Sequence, residues 1–179
     1  MTMRTSSRTE ILEAALRVVD DVGGADITYQ SVASEAGLTK AGLMYHFATK
    51  DALMIAVIEH VIGRWQAELQ EVLAVPLVES TLTERVRAFV LFAGEGGVTQ
   101  GEFVVFSEAV RRPELSQPWL EYLQTWFGFG DTTDTTLLLV WLAANGLWVA
   151  EATGILTITP AQRDALLAQL TALLEGNLE

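Results

Sequence analysis

Apolar residues recur every three or four positions through most of the chain, and no stretch alternates for long between apolar and polar residues. The first spacing is typical of helices that bury one face, whereas strict alternation would indicate half-buried strands. A Ser-x-x-Glu capping box at Ser7 and Glu10 begins the first helix, and Gly23-Gly24 ends it. The pattern therefore predicts an all-α protein.

Residues 28–53, TYQSVASEAGLTKAGLMYHFATKDAL, predict two short helices joined by a tight turn. Thr28 and Thr39 can each cap a helix, because a threonine hydroxyl accepts a hydrogen bond from a main-chain N–H at a helix start. Gly37 lies between the two helices, where glycine can adopt positive φ at little cost. We therefore expect a sharp turn at Gly37.

The second of these short helices has one apolar face and one face of small or polar residues. Leu43 and Phe47 lie four positions apart and should be buried, whereas Ala41, Gly42 and Tyr45 point the other way. This arrangement is typical of a helix-turn-helix, in which the second helix enters the major groove of DNA.

Longer helices are predicted for the rest of the chain. One follows a cap at Thr49 and covers about residues 50–73; at about 1.5 Å per residue it exceeds roughly 30 Å and could connect two parts of the molecule. Further helices are predicted over residues 83–93, 100–112, 137–156 and 160–176, with breaks at Gly-Glu-Gly-Gly (94–97), at Pro113 and around the aromatic run 119–130. The last helix has Thr159 as its cap and Pro160 in its first turn.

Residues 137–156 are long and apolar enough to cross a membrane, with Asn145, Glu151 and Thr153 as their only strongly polar members. Glu151 would be costly in lipid, no basic residues flank the segment, and an amphipathic helix follows directly. A helix that is apolar nearly all round is explained more simply by burial on several faces. We therefore expect no membrane partner.

Composition and charge limit the class of protein. The 179 residues are 50% hydrophobic and 19% charged, which predicts a folded chain, and they include no cysteine that could form a disulfide or a thiolate metal site. The net charge is −12, but residues 1–50 hold five basic and six acidic side chains, a balance of −1. DNA binding is therefore compatible with the N-terminal part, although bulk electrostatic attraction should be weak. The first ten residues lack the apolar core of a secretory signal, so we expect a cytoplasmic protein.

Residues 37–53, GLTKAGLMYHFATKDAL, resemble the pattern G-[VL]-[ST]-x-x-x-L-Y-x-H-F-x-x-K-x-x-L of the tetracycline-repressor (TetR/AcrR) regulators. The resemblance extends over about residues 11–59. It implies an N-terminal three-helix helix-turn-helix domain, residues 1–49, which binds DNA. It also implies a C-terminal helical ligand-binding and dimerisation domain, residues 50–179, which the long helix enters.

Carried over residue by residue, the resemblance assigns DNA contacts to eight positions of the motif. Small residues let the recognition helix approach the bases, and hydroxyl, imidazole and ammonium groups meet phosphates or base edges. Two positions depart from the family pattern: Met44 stands where the family usually has tyrosine, and the glycine of its frequent S-x-G start comes one place later. The expected DNA-binding residues are Thr28, Thr39, Lys40, Ala41, Gly42, Tyr45, His46 and Lys50.

The many aromatic residues of the C-terminal part are first of all core residues, because rings in an all-helical domain usually fill space. With a few polar groups between them they would also suit a largely apolar pocket for a small-molecule effector. The residues proposed for that pocket are Phe92, Phe106, Trp126, Trp141, Asn145 and Trp148.

No sequence feature indicates an enzyme, a cofactor or a metal. The chain has no G-x-S-x-G elbow, no phosphate-binding glycine loop and no H-E-x-x-H motif, and His60 has no further ligands at metal-binding spacing.

The sequence is therefore interpreted as a ligand-responsive transcriptional regulator, a homodimeric repressor that binds a palindromic operator and is released by a small, largely apolar effector. Dimerisation is expected through the last two helices, about residues 134–156 and 160–176, whose apolar faces exceed what one small domain buries. The alternative is a small-molecule-binding or protein-interaction module with the same fold and no transcriptional role.

Overall fold

The computed structural model describes residues 7–23, 27–95 and 99–176. Within those ranges the chain forms helices and no strand, as the pattern of apolar residues predicts. Gly24, Gly96 and Gly97, which were expected at helix ends, lie outside the described residues, as do residues 1–6. The α-helices are α1 Ser7–Val22, α2 Tyr29–Glu35, α3 Lys40–His46, α4 Lys50–Leu73, α5 Leu82–Glu95, α6 Gln100–Arg111, α7 Gln117–Trp126, α8 Thr135–Thr153 and α9 Pro160–Glu175.

Threonine side chains cap several of these helices. The hydroxyl of Thr28 accepts a hydrogen bond of 3.0 Å from the N–H of Ser31, and Thr49 accepts one of 3.0 Å from the N–H of Ala52. At α9, Thr159 and Gln162 form the reciprocal capping box, with Pro160 at the first helical position. These predictions are confirmed. They could be made from the sequence because a cap and the N–H that it binds are only a few positions apart.

Helix bounds differ from the sequence prediction at three places. The break expected at Gly94 is wrong, because α5 continues through Gly94 to Glu95, with this glycine packed against Leu167 of α9. Pro118 lies in the first turn of α7 instead of before it. Proline is tolerated there because the main-chain N–H that it lacks would have no partner within the helix. The helix predicted for residues 137–156 starts at Thr135, capped by Asp134, and ends at Thr153. Gly154 follows with φ of 64°, and this left-handed conformation stops the helix although the next residues are apolar.

The chain divides into two compact units. The first comprises residues 1–63 and 99–119, and the second comprises residues 64–98 and 120–179. Helix α4 contributes residues to both units. In the first unit α1 packs against α2 and α6, and α2 packs against α3. Its core includes Ile11, Val32, Leu43 and Val57, none of which has accessible surface.

In the second unit α5 packs against α8 and α9, and α8 packs against α9. Helices α5 and α9 approach closely at Gly94, where an added β-carbon would lie 2.5 Å from Cδ1 of Leu167. Among the described helices, α8 is long and apolar enough to cross a membrane, and the bent pair α3 and α4 also passes that test if counted as one span. Length and composition alone do not separate such a helix from the core helix of a globular protein.

Candidate functional site

The N-terminal site is built on α2, the turn after it and α3. Gly37 takes a φ of 67° in the turn, as expected for a glycine between two helices. The N–H of Leu38 then donates a hydrogen bond of 2.8 Å to the carbonyl of Ala33, which closes the turn. The hydroxyl of Thr39 accepts a hydrogen bond of 3.0 Å from the N–H of Gly42 and starts α3. The observed geometry is that of a helix-turn-helix.

A hydrogen bond and a buried ring connect the two ends of the motif. The hydroxyl of Tyr29 donates a hydrogen bond of 2.7 Å to the carbonyl oxygen of Phe47. Burial raises the pKa of Tyr29, so its phenol stays protonated and able to donate. The ring of Phe47 is only 2% exposed, and the guanidinium carbon of Arg8 lies 5.2 Å from its centroid. The end of α3 is therefore fixed from two sides.

The opposite face of α3 is open to solvent. Leu43 is fully buried, whereas the side chain of Tyr45 is 89% exposed and that of Met44 is 45% exposed. Lys40, Ala41 and His46 are exposed as well. The rings of Tyr45 and His46 meet edge to face, with centroids 5.6 Å apart. Four of the eight expected DNA-binding residues, Lys40, Ala41, Tyr45 and His46, are thus exposed to solvent on α3.

The remaining expected residues lie at helix starts. The hydroxyl of Thr28 is exposed but already hydrogen-bonds to the hydroxyl of Ser31, at 3.1 Å. Thr39 is exposed and accepts only the capping bond, so within the described residues its hydroxyl proton has no acceptor. Lys50 is the first residue of α4 and is half-buried, whereas Lys40 forms no ion pair with any described residue.

The sequence did not predict the ion pairs around this motif. Arg17 of α1 donates from Nε to the carboxylate of Glu35 at 2.6 Å. Arg112 donates to Asp51, the residue after Lys50, at 2.8 Å. The hydrogen bond that Arg112 donates to Asp51 is the main reason why the pKa of Arg112 is raised, followed by the one that it donates to Glu114. No sequence signal connects these residues, because Arg112 and Asp51 are 61 positions apart.

The aromatic residues of the second unit form one connected cluster, in which Phe89 and Phe92, with centroids 6.1 Å apart, join the rings around Trp141 to those around Trp65. Trp141 has its ring centroid 5.9 Å from that of Phe89, 5.6 Å from Phe127 and 5.4 Å from Phe129. Trp65 has its centroid 6.1 Å from Phe92 and 5.4 Å from Trp148. Trp65 and Phe129 are not among the residues for which the sequence suggested a role in a pocket. Their spacing along the chain is that of ordinary core residues, so no sequence signal distinguished them.

The six residues proposed for a ligand pocket are placed as follows. Phe92, Trp126, Trp141, Asn145 and Trp148 belong to the second unit, and Asn145 donates a hydrogen bond of 2.8 Å to the carbonyl of Trp141. Phe106 belongs to the first unit, where its ring centroid lies 5.0 Å from that of Trp119.

Two further features of the second unit bear on ligand binding. The indole N–H of Trp141 is buried and has no hydrogen-bond partner among the described residues. A groove of about 370 Å³ lies elsewhere in this unit, along α9 and the loop before it. Its lining is mostly apolar and comprises Leu156, Thr157, Ile158, Gln162, Ala165, Leu166 and Gln169.

No cluster of three or more histidine, cysteine, aspartate or glutamate side chains suited to a metal occurs in the described residues. His60 instead pairs through Nε2 with the carboxylate of Glu13, at 2.6 Å, and so links α4 to α1.

Comparison with protein-family models assigns both parts of the chain. Residues 83–175 match the tetracyclin repressor-like C-terminal domain, and residues 11–57 match the bacterial regulatory proteins of the tetR family. The chain belongs to the tetracycline-repressor (TetR) family. The resemblance noted over residues 11–59 is thereby confirmed, and so is the fold class with an N-terminal helix-turn-helix and a C-terminal helical domain.

The individual proteins that resemble this TetR-family chain share only a modest fraction of its sequence. The HTH-type transcriptional regulator BetI of Paraburkholderia phytofirmans is 28% identical over 129 residues, 69% of this chain and 64% of the relative. The chain thus spans less than two thirds of the length of that relative. Among solved structures, the multidrug binding protein EbrR complexed with malachite green superposes with a TM-score of 0.69 at 26% identity, covering 94% of this chain and 98% of EbrR. The EbrR complex with ethidium gives a TM-score of 0.64, with the same identity and coverage.

Proposed function

We propose that this TetR-family chain is a ligand-responsive DNA-binding transcriptional regulator, and that it acts as a homodimeric repressor released by a small molecule. Residues 1–49 would form the DNA-binding domain, and residues 50–179 the ligand-binding and dimerisation domain. The observation that carries the proposal is the exposed face of α3. Leu43 anchors that helix in the core, while Tyr45, 89% exposed, stands on the opposite side. The Tyr45 side chain buries little surface within the chain, so it contributes little to the stability of the fold and is available to contact a partner.

The groups on and around α3 suit a DNA contact. The hydroxyl of Thr39 has a proton to donate to a phosphate oxygen, and the ammonium of Lys40 supplies a positive charge. The phenol of Tyr45 and the imidazole of His46 can donate to phosphates at the other end of the helix. Thr28 and Lys50 would contact the backbone on either side, and the small residues Ala41 and Gly42 would let α3 approach the base edges.

The ion pair between Arg112 and Asp51 reduces the negative charge beside the proposed DNA interface. Asp51 follows Lys50 directly, and an uncompensated carboxylate there would repel DNA phosphates. Arg112, 2.8 Å away, offsets part of that charge, since it also pairs with Glu114 at 2.8 Å. The ion pair therefore reduces the repulsion that DNA phosphates would meet from Asp51 at the start of α4.

Exposed leucines on α8 and α9 support dimerisation through these helices. Leu139 and Leu142 of α8 are 57% and 54% exposed, and Leu166 and Leu173 of α9 are 40% and 44% exposed. Apolar side chains concentrated on two neighbouring helices favour pairing with a second copy in a four-helix interface. Two recognition helices related by two-fold symmetry would then read half-sites roughly 34–36 Å apart on a palindromic operator.

The aromatic residues of the second unit support a small, largely apolar effector. Rings around Trp141 and Trp65 offer flat apolar surfaces, and the buried indole N–H of Trp141 offers a donor to a ligand acceptor. EbrR, a related multidrug binding protein, is complexed with malachite green and with ethidium, both of which are aromatic. We propose an aromatic effector for this chain. Helix α4 contributes to both units, so an effector that binds one conformation of it more tightly would change DNA affinity.

The family and the relatives of this chain are named as transcriptional regulators, so we propose that it is not an enzyme. We also propose that it works in the cytoplasm, where operator DNA is accessible.

A single experiment tests the regulator against the alternative module without a transcriptional role. DNA binding is measured by footprinting with and without malachite green, while thermal unfolding is followed in parallel. A regulator of this kind gives a discrete footprint that Gly42→Trp and Lys50→Ala abolish or weaken, and the dye raises the unfolding temperature as it releases the DNA. A dye-induced rise in that temperature without any footprint would favour the alternative. A footprint that the dye leaves intact would exclude this class of effector.

A further inference from the structure

Met44 lies on the exposed side of α3. It lies four positions after Lys40 and three after Ala41, so the three side chains share one side of the helix. Its side chain is 45% exposed, although Leu43 beside it is fully buried. Lys40 precedes it on this face, and Tyr45 and His46 follow it at the end of the helix. Polar groups at both ends of α3 therefore flank one apolar side chain.

The chemistry of methionine differs from that of the groups around it. The thioether side chain cannot donate a hydrogen bond to a phosphate, but it is long, unbranched and polarisable, so it adapts to an apolar surface. In the major groove the apolar group presented by a base pair is the C5-methyl of thymine. A methionine on the groove-facing side of a recognition helix is therefore matched to thymine and to neither base of a G·C pair.

Because the N-terminal part of the chain carries a net negative charge, an apolar contact becomes more important for DNA affinity. Residues 1–50 carry a net charge of −1, so neutralisation of phosphates can supply only part of the affinity. Apolar contacts do not depend on charge, and Met44 is the large apolar side chain exposed within α3 itself.

We infer that Met44 is a specificity-determining residue that reads a thymine C5-methyl group in each operator half-site. This inference rests on the proposed DNA-binding function, and it adds a base preference that the function alone does not supply.

The test is a double-mutant cycle between protein and DNA. Operator DNA is obtained by selection from a random pool with the wild-type protein. Each thymine of a half-site, together with its symmetry-related thymine in the other half-site, is then replaced by uracil, which lacks the methyl group. Affinities of wild-type protein, Met44→Ala and Met44→Leu are measured on every duplex. We expect Met44→Ala to bind the selected operator about 3- to 10-fold more weakly, and Met44→Leu to recover much of the loss. On one uracil duplex the difference between wild type and Met44→Ala should disappear.

Two results would overturn the inference while the proposed function stands. Met44→Ala could bind the selected operator as tightly as wild type, or its loss could persist unchanged on every uracil duplex, which would place Met44 against sugar or phosphate. Failure of the wild-type protein to select any DNA would instead refute the proposed function itself. Val78→Ala, at a 93% exposed position of the second unit, serves as the matched control for an exposed apolar truncation and should bind all duplexes like wild type.

Discussion

The hydroxyl of Tyr29, the first residue of α2, donates a hydrogen bond of 2.7 Å to the main-chain carbonyl oxygen of Phe47, the residue that ends α3. This bond spans the whole helix-turn-helix and fixes the direction in which α3 presents its exposed face. Tyr45 lies on that face and is exposed to solvent. Tyr29 therefore contributes to the stability of the motif, whereas Tyr45 is available for the proposed contact with DNA.

Tyr29→Phe should lower the free energy of unfolding by about 1 kcal/mol, because it removes the partner of a part-buried carbonyl. DNA affinity should fall a few-fold, since α3 is held less firmly. Urea denaturation and fluorescence anisotropy measure the two effects. Tyr45→Phe is the matched control: it should leave the free energy of unfolding unchanged. Equal stability of wild type and Tyr29→Phe would show that the hydrogen bond does not stabilise the motif.

Lys40→Ala and Tyr45→Phe should weaken DNA binding in different ways. Lys40 carries a charge and occurs once in each half-site contact of the dimer, so its loss should reduce the magnitude of the slope of log affinity against log salt by about 2 per dimer. Tyr45 is neutral, so its loss should reduce affinity about tenfold with little change in that slope. Titrations at four or more salt concentrations make the comparison. A slope that Lys40→Ala leaves unaltered would remove Lys40 from the phosphate contacts.

Gly101→Ala should destabilise the first unit by about 1–3 kcal/mol. Gly101 lies in the first turn of α6, where its N–H donates a hydrogen bond of 2.6 Å to the carboxylate of Asp20 in α1, and an added β-carbon would overlap that carboxylate. Thermal or urea unfolding measures the change.

Gly63→Ala is the control for a glycine replaced in a helix. Its added β-carbon would meet nothing within 4 Å, so the change should be neutral or stabilise the chain by up to about 1 kcal/mol, as alanine favours helices. If Gly101→Ala and Gly63→Ala changed the free energy of unfolding equally, the contact between α1 and α6 at Gly101 would contribute nothing specific to stability.

Leu142→Glu should convert the dimer into a monomer. The side chain is 54% exposed in the single chain and would be buried between two copies, where an unpaired carboxylate is costly. Size-exclusion chromatography with light scattering distinguishes one 19.5 kDa chain from two. Val78→Glu, at a 93% exposed position outside α8 and α9, should remain dimeric. A dimer that survives Leu142→Glu would place the interface elsewhere.

The parts of this structure that the sequence predicts depend on local physical chemistry. Thr28, Thr39, Thr49 and Thr159 cap helices as expected, because a cap and the N–H groups that it binds are within three residues of each other. The buried side of α3 follows in the same way from helical spacing. The exposed face that carries the proposed DNA contacts could therefore be derived before any coordinates were known.

What the sequence did not predict depends on contacts between distant residues. Asp20 and Gly101 are 81 positions apart, and nothing in either local pattern indicates that they meet. The aromatic residues show the same difficulty: all have the spacing of core residues, yet Phe106 belongs to the first unit and Trp141 to the second. Periodicity says that a ring is buried, but the partner helix that covers it is a property of the tertiary fold.

Selection of operator DNA from a random-sequence pool tests the central claim, that the exposed face of α3 reads DNA, most directly. The pool is presented in parallel to wild-type protein and to Tyr45→Phe. We predict that wild type enriches a palindrome with half-site centres roughly 34–36 Å apart, and that Tyr45→Phe binds the enriched sequence about tenfold more weakly. Enrichment of no sequence by the wild-type protein, or an enriched sequence that both proteins bind equally well, would contradict the claim.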